Sequence, residues 1–463
     1  MTTAMNYVST RGRAPELSFG DTLLGGLASD GGLYVPSEWP QTQAIGAGTY
    51  AERAAAIMQP FIGDEIPPSV FLGLCHDAYS TFRQPDVAPL VQISPEHYLL
   101  ELFHGPTLAF KDVALQLIGK LFDYVLKQRD ERVMVVGATS GDTGSAAIDA
   151  LTSCSNVEVV ILYPRNRISE FQRRQMTTID APRVRAVAID GTFDDCQDLV
   201  KAMFNDAKFR DVQNLSAVNS INWARVMAQT VYYFTAIESL GRNLPELGAS
   251  FSVPTGNFGN VLSGWIARQM GANIRHLIVG SNSNDILTRF FESRTMSMKD
   301  VVGTMSPSMD IQVSSNFERL LFDINNRDGA ATAEQLQDFR ATGKMSIGVG
   351  QFDAWVKPVF RAHRCDDDET IATMRRVFQD TGMLVDPHTA VGIASTEACA
   401  EPGIPTVTLA TAHPAKFPDA VMRATGLEPP LPEHLADIYE RAEHSTDLPN
   451  DLATVMAFVA ARK

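Results

Sequence analysis

Lys111 sits in the stretch Gly105-Pro106-Thr107-Leu108-Ala109-Phe110-Lys111-Asp112, behind an apolar phenylalanine and at the start of a run with helical spacing. The N-terminal end of a helix disfavours a cation, and burial disfavours it too. A lysine placed there loses its proton more easily, and a neutral amine is what Schiff-base chemistry requires. Spacing alone leaves open a plainer alternative, a solvated surface lysine paired with Asp112. A second group is Thr139-Ser140-Gly141-Asp142-Thr143-Gly144. Hydroxyls and backbone N–H groups at a helix start favour an anion such as a carboxylate, and the glycines permit close backbone approach. Gly137, Gly141 and Gly144 do not form GxGxxG, and no GK[ST] follows, so neither a dinucleotide fingerprint nor a P-loop is present. An ordinary strand-to-helix turn is the alternative.

A third group, Gly256-Asn257-Phe258-Gly259-Asn260, has the form of a phosphate cradle, with backbone donors gathered where a helix begins. Asn219-Ser220-Ile221-Asn222-Trp223-Ala224-Arg225 brings amide and hydroxyl donors together with a guanidinium, which suits bidentate phosphate recognition. Ser220 or Asn222 would equally serve as a helix cap. Thr411-Ala412-His413-Pro414-Ala415-Lys416-Phe417 offers a hydroxyl and a cation, with His413 read as structural.

Elements must bring these groups together. Strand-like runs are expected at 98–103, 132–136, 157–163, 184–189, 250–253, 274–279, 383–385 and 406–410. Helical spacing is expected over 109–127, 145–151, 223–240 and 261–270, with a short helix over 50–58. This alternation predicts an α/β fold with mostly parallel sheets. Residues 1–95 read as an N-terminal segment with its own small core. Residues 96–215 read as a smaller α/β domain with the lysine and the carboxylate-type loop. Residues 216–463 read as a larger α/β domain with the phosphate loop and a helical insertion at about 285–345, which is either a cover over the site or purely structural.

The bulk composition excludes other classes. The chain has 463 residues, and its net charge of −15 opposes binding to nucleic acid or anionic membrane. No signal peptide or apolar run of membrane-spanning length is visible. The five widely spaced cysteines include no CxxC, which argues against a disulfide framework or a zinc site. A cytoplasmic enzyme acting on a small molecule, with no metal, fits these features.

Taken together, the motifs resemble the fold-type II pyridoxal-phosphate (PLP) enzymes of the tryptophan synthase β family, and within them the threonine synthase branch. The resemblance rests on Phe103–Asp112, Ala138–Ala147, Val218–Arg225, Pro254–Asn260, Ser308–Phe322 and Ala412–Phe417, together with Tyr7–Gly12 and Ser29–Pro36. It implies two open, mostly parallel sheet domains flanked by helices, plus the N-terminal segment. It implies conversion of O-phosphohomoserine and water to L-threonine and phosphate by β,γ-elimination and replacement, in a monomer or homodimer. Lys111 would carry PLP, and Gly256, Asn257, Phe258, Gly259 and Asn260 would hold its phosphate. Thr411 would face the pyridine nitrogen. Ser140 and Thr143 would bind the substrate carboxylate. Asn219, Ser220, Asn222 and Arg225 would bind the substrate phosphate, with Lys416. Asp142 stands where many relatives carry an asparagine that donates to the cofactor phenolate. A carboxylate donates only when protonated, so either Asp142 is protonated or another group serves that oxygen. The rivals are a phospholyase or serine/threonine dehydratase on the same scaffold, or a non-catalytic anion-binding module.

Overall fold

A computed structural model describes residues 5–42 and 46–461. Two open sheets organise the chain. The larger has six strands in the order Phe360–Arg364, Ile274–Ser281, Ala249–Pro254, Thr406–Ala410, His97–Glu101 and Leu90–Ser94. All its neighbours are parallel except the last pair, which is antiparallel. The smaller has five strands, all parallel, in the order Thr446–Pro449, Val184–Asp190, Val157–Pro164, Val133–Ala138 and Leu215–Ser216. Strands such as Thr406–Ala410 and Ala249–Pro254 are buried at every residue. Val157–Pro164, also buried at all but one residue, reads as a near-continuous apolar run, as a strand covered on both faces does. The helix Trp223–Leu240 is buried over nearly its whole length, as a central helix of the larger layer must be.

The sheets do not follow the contiguous division expected from sequence. The strand His97–Glu101, just before Lys111, pairs in the larger sheet with Thr406–Ala410. The C-terminal strand Thr446–Pro449 returns to the edge of the smaller sheet beside Val184–Asp190. The helix Leu452–Ala460 then places Val455 and Val459 in the smaller core, with Met134, Val160, Leu162, Val187 and Ile189. The N-terminal segment has no separate core either. Tyr7 and Phe61 join the main apolar cluster beside Trp223, where Tyr7 Oη donates to Phe61 O at 2.6 Å and Trp223 Nε1 donates to Tyr7 Oη at 3.0 Å. The expected strand at 383–385 is absent. That stretch is irregular backbone linking the helices Asp367–Thr381 and Pro387–Cys399, and its apolar residues pack in a small cluster with Met374 and Val377. Residues 285–345 hold helices Ile286–Ser293, Phe317–Ile324 and Gly329–Thr342, with a two-stranded ribbon of Thr295–Ser297 and Lys344–Ser346.

Candidate active site

Ligands of open α/β sheets bind beyond the carboxyl ends of the strands. Each candidate segment lies at such an end. Lys111 follows His97–Glu101, Ser140–Gly144 follows Val133–Ala138, Gly256–Asn260 follows Ala249–Pro254, and Thr411 follows Thr406–Ala410. Asn219–Arg225 follows Leu215–Ser216. Two sheets thus contribute to one centre.

Lys111 opens the helix Lys111–Arg129 and is buried. Its Nζ donates to Asp142 Oδ2 at 3.0 Å and lies 4.9 Å from the centroid of the Phe110 ring. Asp112 is not its partner. The Asp112 carboxylate accepts instead from Thr107 N at 2.8 Å and Thr107 Oγ1 at 2.7 Å, which folds the preceding loop back on itself. Gly105 is needed there, because a Cβ would meet Asp112 Cβ at 2.4 Å. Leu108 adopts a left-handed φ of 65° in the same loop, a conformation costing roughly 1–3 kcal/mol that surrounding contacts must offset. Burial pushes the Lys111 amine below its usual pKa; Asp142 opposes this shift, and Arg225 and Lys416 add to it.

Asp142 is the anionic hub. It accepts from Lys111 on Oδ2, and Oδ1 accepts from Gln172 Nε2 at 2.9 Å and faces Lys416 Nζ at 3.1 Å. Burial alone would raise its pKa. The charges of Lys111, Lys416 and His388, with the Gln172 bond, outweigh burial and hold it well below the usual carboxylate range. Asp142 acts as an acceptor in each of these contacts. Lys416, fully buried, also donates to Gln175 Oε1 at 2.6 Å and Thr107 O at 2.8 Å. It stands with Asp142 rather than in the Asn219–Arg225 loop.

The Ser140–Gly144 turn is braced by Thr139, whose Oγ1 accepts from Gly141 N at 2.9 Å and Gly144 N at 2.8 Å. Gly141 has φ 136°, and a Cβ there would meet the Gln172 side chain at 2.6 Å. Ser140 and Thr143 remain half-buried. The phosphate-type loop runs directly into a helix, because Gly259 and Asn260 are already the first turn of Gly259–Gln269. Phe258 caps it at φ 63°. Gly256 leaves no room for a side chain, since its Cβ would lie 2.3 Å from Ser308 O. Asn260 Nδ2 is buried and unpaired.

Arg225 is buried, donates to Val218 O at 3.3 Å, and leaves Nε unpaired. Among the described residues it has no ion pair. Asn222 differs from its expected role: Oδ1 accepts from Ala224 N at 3.0 Å and Nδ2 donates to Leu23 O at 2.9 Å, so its amide is spent on capping the helix. Asn219 is exposed and Ser220 half-buried in the same loop. Thr411 is buried, and its carbonyl accepts from Phe110 N at 2.8 Å, which brings it alongside the lysine loop. Sequence reasoning missed Thr107, Gln172 and Gln175. The two glutamines share one face of the helix Glu170–Thr177 at i, i+3 spacing, but two polar residues on a short polar helix give no signal by themselves.

Comparison with known proteins places this arrangement. Residues 6–79 match the family described as threonine synthase N terminus, and 389–459 match threonine synthase, C-terminal. Residues 85–345 match the pyridoxal-phosphate dependent enzyme family. A threonine synthase of Pseudomonas aeruginosa is 50% identical over 98% of both chains. This chain belongs to the threonine synthase family. A PLP-bound threonine synthase from Brucella melitensis superposes with a TM-score of 0.95 at 51% identity, covering 98% of this chain and 99% of that one. Yeast threonine synthase gives 0.93 at 38% identity, covering 99% of both. The fold-type II architecture and PLP as cofactor follow from this membership. The residues present fit the group: a buried amine with a lowered pKa, a cradle that a single Cβ would fill, and an unpaired buried amide in that cradle.

Proposed function

We propose that the chain converts O-phosphohomoserine and water to L-threonine and phosphate. The observation that carries this reading is the convergence of three buried basic side chains, Lys111, Arg225 and Lys416, on one centre, where Asp142 pairs with Lys111 and Lys416 and Arg225 has no ion pair among the described residues. In a chain of net charge −15, that local excess of positive charge is suited to an anionic substrate.

PLP, when bound, supplies an electron sink for charge developing beside the substrate nitrogen. Lys111 anchors the cofactor and, once free, moves protons at the substrate carbons, for which its lowered pKa suits it. Gly256, Asn257, Phe258, Gly259 and Asn260 hold the cofactor phosphate on helix-terminal donors. Thr411, buried beside the lysine loop, would serve the pyridine nitrogen. Ser140 and Thr143 bind the substrate carboxylate. Arg225, with Asn219 and Ser220, binds the substrate phosphate and stabilises it as it leaves. Asn222 supports that loop from behind. Asp142 fixes Lys111 and Lys416. A cytoplasmic location and a monomeric or dimeric state belong to the same reading. In support, no helix of the described residues is long and apolar enough to cross a membrane, and all five cysteines are unpaired.

The test is an assay with O-phosphohomoserine that follows phosphate and threonine together. Equimolar release is expected. Phosphate accompanied by a keto acid would identify a phospholyase and sink the reading. Arg225→Ala should lower kcat/KM for the phosphorylated substrate by about 10²–10³-fold, the loss of one buried charge-assisted contact. It should spare slow turnover of amino acids without phosphate. Equal losses on both would remove Arg225 from the phosphate site.

A further inference from the structure

The conspicuous stretch Ser308–Phe322 holds none of the residues given a role above. Within it, Asn316 and Arg319 are both fully buried. Asn316 Nδ2 donates to Ser220 O at 2.9 Å and to Asn257 O at 3.1 Å, and its backbone N donates to Asn257 O at 3.1 Å. One amide therefore joins the loop read as the substrate-phosphate site to the loop read as the cofactor-phosphate site. Arg319 holds that amide in place. Its Nη1 donates to Asn316 Oδ1 at 2.5 Å, its Nη2 to Ile221 O at 2.8 Å, and its Nε to Tyr34 O at 3.0 Å. The neighbouring Glu318 is turned away, accepting from Arg11 Nε and Nη2 at 3.0 Å and from Thr10 Oγ1 at 2.6 Å. Among the described residues the hydrogen-bond acceptors of the Arg319 guanidinium are thus all neutral, and the Glu318 charge acts on it only through space.

We infer that Asn316 and Arg319 are positioning residues that fix the separation of Asn219–Arg225 from Gly256–Asn260, and so set the length of phosphorylated amino acid the site accepts. The inference rests on the proposed substrate class. A ligand bound by its phosphate at one loop must bring its amine to the neighbourhood of Lys111, so the loop separation acts as a ruler. An error of about 1 Å in such a placement costs on the order of 10²-fold in rate. Backbone carbonyls held by a buried amide and a three-pronged guanidinium have little freedom to drift.

Asn316→Asp is the discriminating variant. It keeps the acceptor for Arg319, now as an ion pair, and removes the side-chain donations to Ser220 O and Asn257 O. The measurement is made on PLP-loaded protein. It compares the KM for O-phosphohomoserine with the inhibition constant of O-phosphoserine, which is one carbon shorter, and follows PLP release by fluorescence. The unsubstituted protein should favour the longer ligand. In Asn316→Asp that preference should shrink by roughly tenfold, the worth of about one hydrogen bond, and PLP release should quicken. Arg319→Lys, which cannot reach Tyr34 O, Asn316 Oδ1 and Ile221 O together, should reproduce the loss. An unchanged preference and release rate in Asn316→Asp, whatever its melting temperature, would overturn the inference and leave the proposed function standing. No preference in the unsubstituted protein would likewise overturn the inference, whereas the proposed function stands or falls with the release of threonine and phosphate.

Discussion

At the scale of single residues, close approach is the most exacting requirement. A Cβ on Gly256 would meet backbone that cannot easily move aside, the Ser308 carbonyl oxygen at 2.3 Å. Gly256→Ala should displace the cofactor loop. Overpacking of this kind costs about 1–3 kcal/mol, so PLP affinity should fall by roughly five- to 150-fold. Equilibrium dialysis against PLP checks this, and unchanged affinity would show that the loop adapts. Asp112 illustrates a different residue-scale constraint. Burial first, and then Asp149, push its carboxyl up to about 7 against two opposing bonds from Thr107. Its side chain thus shapes the lysine loop, although it stands next to Lys111 in sequence without pairing with it.

At the scale of elements, the larger sheet carries a titratable link between two of its strands. His97 Nε2 and Thr408 Oγ1 lie 2.8 Å apart, joining His97–Glu101 to Thr406–Ala410, and Thr396 Oγ1 completes the chain at 2.7 Å. Burial, with the charge of Arg376 adding to it, lowers the His97 pKa from 6.5 to about 4. Below pH 6.5 the unfolded chain takes up a proton that the folded chain refuses. Stability from this group is therefore fully present above pH 6.5 and is lost as pH falls towards 4, by about 3 kcal/mol in total. His97→Gln should flatten that part of the stability profile. Urea midpoints measured at several pH values for both proteins test this, and parallel profiles would rule His97 out. These two strands lead into Lys111 and Thr411, so acid should loosen the site before it unfolds the smaller sheet.

At the scale of the whole molecule, the C-terminal stretch closes the structure over the lysine loop. Leu435 and Ile438 pack with Leu108 and Phe171 in a separate apolar cluster. Leu108 belongs to the Gly105–Lys111 loop, and Phe171 to the helix that supplies Gln172 and Gln175. The chain then continues to its edge strand on the smaller sheet. Ile438→Ala should cost about 2–4 kcal/mol by creating a cavity. Amide hydrogen exchange should then rise in residues 105–112 and 170–177 together, because one cluster supports both. A rise confined to the C-terminal stretch would show that this stretch merely covers the site.

The sequence by itself determined what is written in local chemistry. Strand and helix alternation, the helix Trp223–Leu240 and the strand Thr406–Ala410 were legible at the residue, since periodicity and apolar runs are short-range properties. So were the glycine-rich loops and the unusual placement of Lys111, because turn residues gathered where a helix begins are themselves a short-range pattern. Which sheet each strand joins was not legible. His97–Glu101 and Thr446–Pro449 pair with strands hundreds of residues away, and pairing partners leave no mark on a strand's own composition. Only the tertiary structure decided that Asp142 rather than Asp112 meets Lys111, that Lys416 joins the Asp142 hub, and that Asn222 is spent as a cap. Each of those outcomes depends on which distant groups share a buried volume, where desolvation drives charges towards partners and amides towards acceptors.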